Sequence, residues 1–246
     1  SYYTPLFLVD YILKETVERK LQRMKPNANC IVLDPACGSG IFLVETLRKI
    51  IEKYIHDTKI EVKSEKFKTA IKKLAKDNIF GIDKDVNAVR VAIFSIYLTL
   101  LDYLEPPGIE TFKFPTLLDS NFFVDDFFNN NAPFNSIIKN VKVNFIVGNP
   151  PWKGGGMDAL GKEYLKLRRN KELNKKYEIA INNNELAEGF ILRASDFSAV
   201  DTQISFIIRS SSLYNKGYND EGSPFRQYWL EEFFVDRVFE LAPVRY

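Results

Sequence analysis

The chain has 246 residues, a hydrophobic content of 46% and a formal net charge of only +2. It can therefore bury one sizeable core, and its net charge alone does not predict affinity for nucleic acid. A single histidine and two cysteines, Cys30 and Cys37, argue against a multi-histidine metal centre and a disulfide framework, so we expect no metal. No apolar stretch approaches the roughly 18 residues of a membrane span, and no secretory signal is visible, so we expect a cytoplasmic protein.

The first elements in chain order predict a helix, a strand and a glycine-containing loop. Leu6 to Met24 has amphipathic helical spacing, and the apolar run Ile31 to Leu33 leads directly into Asp34-Pro35-Ala36-Cys37-Gly38-Ser39-Gly40. A second helix is predicted after Gly40, and its first N–H groups are suited to a carboxylate or phosphate. Gly38 and Gly40 allow a tight turn and close approach to the backbone. This order of elements suits a nucleotide-type ligand, although Leu43 replaces the third glycine of the dinucleotide fingerprint.

Further along the chain, a lysine-rich stretch precedes a strand that ends in acidic residues. Residues 56–77 predict an added helix, because Phe67, Ile71 and Leu74 recur at helical spacing and indicate a partly buried face. Asp83 and Asp85 then follow an apolar strand. Either aspartate can bind a ribose or cap the helix that begins at Val86; we favour Asp83 for the ribose and Asp85 for the cap.

The rest of the chain continues to alternate strands with helices. This alternation predicts an α/β fold with a doubly wound, mainly parallel sheet. The further predicted strands span residues 121–124, 143–147, 203–208 and 237–241, and a further predicted helix spans residues 185–198.

The tetrapeptide Asn149-Pro150-Pro151-Trp152 follows one glycine after the strand at 143–147. An exocyclic amine is a poor nucleophile, because its lone pair is conjugated with the ring. The Asn149 side-chain oxygen and the Pro150 carbonyl can accept its two hydrogens, while Trp152 stacks on the ring. Two consecutive prolines stiffen this segment. In a parallel sheet its loop lies at the same carboxyl edge as the glycine loop, about 110 residues earlier.

In this combination and order, the motifs resemble S-adenosylmethionine-dependent DNA adenine-N6 methyltransferases of the restriction-modification type. The resemblance extends from an N-terminal Tyr-Thr-Pro motif, through the complete glycine loop, to the catalytic tetrapeptide. It implies a Rossmann-like catalytic domain over residues 1–246, with a helical insertion at about 56–77. It also implies a target-recognition domain elsewhere, in the parent chain or on another subunit.

The resemblance assigns roles to individual residues. The methionine part of the cofactor would be held by Tyr3 and Thr4, with Asp34 facing its ammonium group. Asp83 would bind the ribose hydroxyls. Asp126 would bind the adenine amino group, with Asp125 as the alternative, and Phe127 would be the aromatic residue beside the adenine ring. The cofactor-binding set is Tyr3, Thr4, Asp34, Pro35, Ala36, Gly38, Gly40, Asp83, Asp126 and Phe127, and the catalytic set is Asn149, Pro150, Pro151 and Trp152.

The expected reaction is methyl transfer to the N6 amino group of an adenine flipped out of double-stranded DNA. A basic run at residues 162–176, which contains Arg168 and Arg169, is a candidate for phosphate contacts, with a solvated helix face as the alternative. Two other functions remain open. The same platform suits a protein glutamine or an RNA base, and a catalytically silent cofactor-binding module of a DNA-binding complex is a third possibility.

Overall fold

The computed structural model describes residues 4–25, 28–152, 156–171, 181, 185–214 and 224–241. The chain divides into two compact units. The first comprises residues 1–150 and 193–207, and the second comprises residues 151–192 and 208–246.

The first unit is built on a five-stranded sheet in the order β3-β2-β1-β4-β5, in which all neighbouring strands are parallel. Leu33 of β1 pairs with Phe80 on one side and with Ile146 on the other. The strand order reverses between β1 and β4, and ligands of open α/β sheets bind outside the carboxyl ends at such a point. The predicted doubly wound α/β fold is confirmed. The strands are β1 (Val32–Asp34), β2 (Ile79–Asp83), β3 (Phe122–Val124), β4 (Phe145–Gly148) and β5 (Gln203–Phe206).

Helices alternate with these strands, as the sequence predicts. All residues of β1 and β4 are buried, which is typical of a parallel sheet covered on both faces. The predicted first helix is continuous to Leu21 and contains a π-helical turn at Lys14–Glu18. The helices are α1 (Leu6–Leu13), α2 (Arg19–Leu21), α3 (Ile41–Thr58), α4 (Glu65–Asn78), α5 (Val86–Leu101), α6 (Pro106–Ile109), α7 (Phe134–Lys139), α8 (Ala159–Lys171), α9 (Leu186–Ser195), α10 (Ser211–Tyr214) and α11 (Pro224–Glu232).

Helix α4 forms in the lysine-rich stretch that predicts an added helix, and it is anchored to the core. Ser64 caps it by accepting a hydrogen bond from the Phe67 N–H at 3.2 Å. Phe67 and Ile71 are fully buried, so the expected partly buried face is present. At its end, the Asn78 side-chain oxygen accepts the Cys30 N–H at 2.5 Å. This bond joins the end of α4 to the segment before β1, at the edge of the sheet opposite the glycine loop.

The second unit contains α8, α10, α11 and most of α9. The prediction of a strand at residues 237–241 is wrong, because the structure has no regular secondary structure there. Val238, Phe239 and Leu241 are half exposed. A short apolar segment forms a strand only when another strand pairs with it, and within the described ranges none pairs with residues 237–241. Among all the residues that the structure describes, no helix has the length and apolar character needed to cross a membrane.

Candidate functional site

The glycine loop joins β1 to α3, and its two glycines have different surroundings. Both have positive φ angles, 51° at Gly38 and 84° at Gly40, which glycine adopts without steric cost. A Cβ placed on Gly40 would lie 3.0 Å from the Ala92 Cβ, so this glycine lets α3 and α5 pack closely. A Cβ on Gly38 would meet nothing within 4 Å. The loop backbone at Gly38 is therefore open to a ligand.

Asp34, at the end of β1, is a buried carboxyl group with few partners. Its Oδ1 accepts the Ala36 N–H at 3.1 Å, and among the described residues it forms no ion pair. Burial raises its pKa from 3.8 to about 8; the Ala36 N–H opposes this shift, and the nearby Asp83 carboxylate adds to it. A buried carboxylate without a cationic partner is costly. Asp34 is therefore suited to an incoming cation such as an ammonium group.

Asp83 and Asp85, the two acidic residues at the end of β2 and just after it, make different contacts. Asp85 caps α5 by accepting the Asn87 N–H at 2.8 Å, so the predicted cap is confirmed. Asp83 accepts the Gly38 N–H at 2.9 Å with Oδ2 and the Asp85 N–H at 2.9 Å with Oδ1. These bonds fix the carboxylate beside the glycine loop. Each carboxylate oxygen can accept a second bond, so Asp83 keeps capacity for hydroxyl groups.

The loop after β3 contains the third acidic position. Asp126 is only 7% exposed; its Oδ1 accepts the Phe128 N–H at 2.8 Å, and its Oδ2 lies 2.5 Å from the Lys84 ammonium group. The Asp125 Oδ1 instead accepts the Asp126 N–H and the Asn129 side-chain N–H, at 2.7 and 2.9 Å. Asp125 therefore shapes the turn, whereas Asp126 already binds a nitrogen cation.

Phe127 lies in an aromatic cluster of the first unit. Its ring stacks on Phe197 and Phe134, with centroids 5.6 and 6.4 Å apart, and is 2% exposed. The buried Arg193 guanidinium lies 5.7 Å from this ring, and its Nε donates to the Phe127 carbonyl at 2.9 Å. The cluster fixes the backbone directly after Asp126.

Asn149 directly follows β4, whose last residue, Gly148, lies against Asp34. A Cβ on the preceding Gly148 would lie 2.7 Å from the Asp34 Oδ1, so the missing side chain makes room for the carboxyl group. The Asn149 Nδ2 donates to the Thr4 Oγ1 at 3.1 Å. Its Oδ1 is buried and has no hydrogen-bond partner among the described residues. An acceptor oxygen is thus left unsatisfied next to the cofactor-binding candidates.

The remaining tetrapeptide residues fall on both sides of the boundary between the units. Pro150 is buried at the end of the first unit, and Pro151 and Trp152 begin the second. Trp152 is 37% exposed, so part of its ring is accessible for stacking. Within the second unit, Arg209 donates a hydrogen bond to the Trp152 carbonyl.

Of the other predicted residues, Pro35 is buried and Ala36 is half-buried in the glycine loop. Tyr3 lies outside the described residues. Burial raises the pKa of the Cys30 thiol to about 12 and that of the Cys37 thiol well above its usual value. Both thiols are therefore neutral and weakly nucleophilic at pH 7. The described ranges contain no cluster of histidine, cysteine and acidic side chains that fits a metal ion.

Sequence reasoning did not identify three contributors to the site: Gly148, Lys84 and Arg193. Lys84 stands between two acidic residues, and Arg193 interrupts an apolar helical run. A charged residue inside an apolar run is a signal for a buried ion pair, and Arg193 forms one with Asp196 at 2.9 Å. Gly148 carries no local signal, because its contact with Asp34 depends on the pairing of β1 with β4.

The chain is similar to proteins of restriction-modification systems. A family model described as Eco57I restriction-modification methylase matches residues 77–244. The type II restriction enzyme and methyltransferase RM.Eco57I of Escherichia coli is 27% identical over 271 residues. The match covers 97% of this chain and 26% of that protein, so the chain spans about a quarter of the relative's length.

Solved structures share the fold at low sequence identity. A DrdV–DNA complex superposes with a TM-score of 0.61 and 16% identity, over 94% of this chain and 22% of DrdV. A nuclease-deletion mutant of the type ISP restriction-modification enzyme LlaGI, in complex with a DNA substrate mimic, superposes with a TM-score of 0.60 and 19% identity, over 84% of this chain and 18% of LlaGI. Because the family model matches more than half of the sequence, the chain belongs to the Eco57I restriction-modification methylase family.

Proposed function

We propose that the chain transfers a methyl group from S-adenosylmethionine to the N6 amino group of adenine in double-stranded DNA, as part of a restriction-modification system. The observation that carries this proposal is the buried Asn149 Oδ1, which has no hydrogen-bond partner among the described residues. An unsatisfied buried acceptor costs about 1 to 3 kcal/mol. A donor N–H from the substrate removes this cost, and a planar amine supplies such a donor.

The first unit also offers groups that fit the cofactor. The buried Asp34 is suited to the ammonium group of the methionine part, and the Asp83 carboxylate to the ribose hydroxyls. Asp126, which pairs with Lys84, is suited to the adenine amino group. The open space at Gly38 allows the ligand to approach the loop backbone. When bound, S-adenosylmethionine supplies a methyl group on a positively charged sulfur.

The chain's own residues then have to hold the target amine. Asn149 Oδ1 and the Pro150 carbonyl are each suited to accept one of the two N–H groups, which directs the nitrogen lone pair away from them. The nitrogen lone pair forms the new N–CH3 bond as the methyl–sulfur bond breaks, which leaves a neutral thioether, and the methylated amine then loses one proton to solvent. Catalysis in this arrangement comes mainly from proximity and orientation.

Adenine within a duplex cannot present its amino group to Asn149, so the base has to flip out of the helix at a cost of a few kcal/mol. Stacking on the partly exposed Trp152 ring offsets about 1 to 3 kcal/mol of this cost. The structures of DrdV and of the LlaGI mutant contain DNA or a DNA mimic, which supports DNA as the substrate class.

Helix α8 is the proposed phosphate-contacting surface, since Lys162, Lys166 and Arg169 are exposed on it. Part of the predicted basic run, residues 172–176, lies outside the described residues. We assign reading of the DNA sequence to a separate target-recognition domain, in the same polypeptide or on another subunit. The proposed location is the cytoplasm.

The test is transfer of labelled methyl from S-adenosylmethionine to unmodified DNA of mixed sequence, compared with Asn149→Ala. The wild-type protein should form N6-methyladenine, whereas the variant should lose transfer and keep its affinity for the cofactor. Retained turnover by Asn149→Ala would overturn the assignment of the site. Label found in protein or RNA, but not in DNA, would mean that the substrate is another planar amine rather than adenine in DNA.

A further inference from the structure

Thr4 and Asn149 are 145 positions apart in the chain, yet their side chains form a hydrogen bond. The Asn149 Nδ2 donates to the Thr4 Oγ1 at 3.1 Å. Thr4 is only 8% exposed, so little water competes for this bond. The family resemblance assigns Thr4 to the methionine part of the cofactor, whereas the observed contact is with the amide of the catalytic tetrapeptide.

Helix α1 holds Thr4 in place. Pro5 follows Thr4 directly, and its carbonyl accepts the N–H groups of Leu8 and Val9 at 3.0 and 3.2 Å. Val9 is fully buried in the core of the first unit. The Thr4 hydroxyl is therefore presented from a helix start that is itself anchored by packing. Such an anchored partner can hold a neighbouring amide in place.

A primary amide has two chemically different ends, and only its oxygen can accept a hydrogen from an amine. If the Asn149 amide rotated by half a turn, its NH2 group would face the amine, and two donors would oppose each other. With Nδ2 bound to Thr4, the oxygen occupies the other side. That oxygen is buried and without a hydrogen-bond partner among the described residues, which is the state needed to receive a substrate N–H.

We infer that Thr4 is a positioning residue that holds the Asn149 side chain by its amide nitrogen and so keeps Oδ1 in place for the target amine. The inference rests on the proposed function and goes beyond it, because it gives Thr4 a role in the transfer step. Loss of the Thr4 hydroxyl frees the amide to rotate. The rate of methyl transfer at saturating cofactor falls as a result, while cofactor affinity is maintained.

The test compares Thr4→Val, which keeps the shape and removes the hydroxyl, with Thr4→Ser, which keeps the hydroxyl. Thr4→Val should lower kcat by about ten- to hundredfold, as expected for a lost hydrogen bond and a misplaced acceptor. Its dissociation constant for S-adenosylmethionine, measured by calorimetry, should match the wild type, and Thr4→Ser should restore most of kcat. A weaker cofactor affinity with unchanged kcat would assign Thr4 to the cofactor and overturn the inference.

A second readout does not depend on activity. In protein labelled with 15N-asparagine, the Asn149 side-chain NH2 signals are identified by their absence in Asn149→Ala. In the wild type and in Thr4→Ser, one of the two NH2 protons should have a chemical shift different from that of a solvent-exposed asparagine and should exchange slowly with water. In Thr4→Val, both of these properties should be lost. If no protein transfers methyl but this pattern is seen, the proposed function fails and the positioning contact stands. Identical NH2 signals in the wild type and in Thr4→Val overturn the inference.

Discussion

Replacing Asp34 by asparagine should make the unliganded protein more stable at high pH. Burial raises the Asp34 pKa in the folded state from 3.8 to about 8. When the folded pKa is above the unfolded pKa, the group contributes stability that is fully present below the unfolded value. This contribution is lost as the pH rises through the folded value. The wild-type free energy of unfolding should therefore fall between about pH 4 and pH 8, and asparagine, which does not ionise, removes this dependence.

The magnitude follows from the size of the shift. A change of about 4 pKa units at about 1.4 kcal/mol each gives roughly 6 kcal/mol as an upper limit, and structural relaxation around the charge reduces it to several kcal/mol. Asparagine keeps the oxygen that accepts the Ala36 N–H at 3.1 Å, and it has nearly the same shape. Near pH 4 the free energies of unfolding of the two proteins should therefore differ by a constant amount. By pH 8 the free energy of unfolding of Asp34→Asn should have risen relative to that of the wild type.

The assay is urea unfolding followed by circular dichroism, at pH values from 4.5 to 8.5, for wild type and variant. Parallel curves of unfolding free energy against pH would refute the reasoning. A calorimetric titration with S-adenosylmethionine provides a separate check. Below pH 8, wild-type binding should release up to one proton, because the cationic ligand favours the ionised Asp34. Asp34→Asn should bind S-adenosylmethionine more weakly and release fewer protons on binding.

Three further changes test other parts of the site. Gly148→Ala places a methyl group 2.7 Å from the Asp34 Oδ1, so it should cost about 1 to 3 kcal/mol of stability and weaken cofactor binding, measured by thermal unfolding and calorimetry. Asp126→Asn should weaken cofactor binding by about tenfold or more. Asp125→Asn, which alters a turn, should instead lower the unfolding temperature; equal cofactor affinities in these two variants would contradict the assignment. Arg169→Gln should weaken DNA binding and reduce the slope of log affinity against log salt by about 0.9, and an unchanged slope would remove α8 from the DNA-binding surface.

Two matched variants serve as controls. Gly108→Ala adds a methyl group near the Lys68 Cε at 3.0 Å. This flexible side chain can move, so cofactor binding should be retained. Glu163→Gln removes an exposed negative charge from the same helix as Arg169. A loss of DNA affinity in this variant as well would indicate that α8 is damaged, rather than that a phosphate contact has been lost.

Much of the fold could be predicted because local signals and tertiary packing agree. Apolar runs followed by glycine or aspartate marked β1 and β2, and helical spacing marked α4. The predicted strand at residues 237–241 had only a short, partly apolar stretch to support it. A strand also needs a neighbour to pair with, and that neighbour is set by distant parts of the chain, which one sequence does not reveal.

The site was predictable where a role depends on local geometry. The Asp85 cap and the loop glycines follow from their places between a strand and a helix. The Lys84–Asp126 ion pair and the Thr4–Asn149 hydrogen bond join residues from different loops, so no local pattern indicates them. These contacts refine the roles that the family resemblance assigns. Thr4, expected at the cofactor, contacts Asn149, the proposed catalytic asparagine.

The pairing of β1 with β4 connects the two halves of the proposed chemistry. Leu33 pairs with Ile146, and this register brings Asp34 against Gly148, directly before Asn149. A shift of the β1–β4 register by one residue would move the end of one strand relative to the other by about 3.3 Å. It would also turn the side chains of the shifted strand to the other face of the sheet. The same backbone pairing that stabilises the centre of the sheet therefore sets the distance between Asp34, the proposed cofactor-binding acid, and Asn149, the proposed amine-binding amide. A change that disturbs this pairing should impair both cofactor binding and methyl transfer. Removal of the Thr4 hydroxyl should instead impair methyl transfer and leave cofactor binding unchanged.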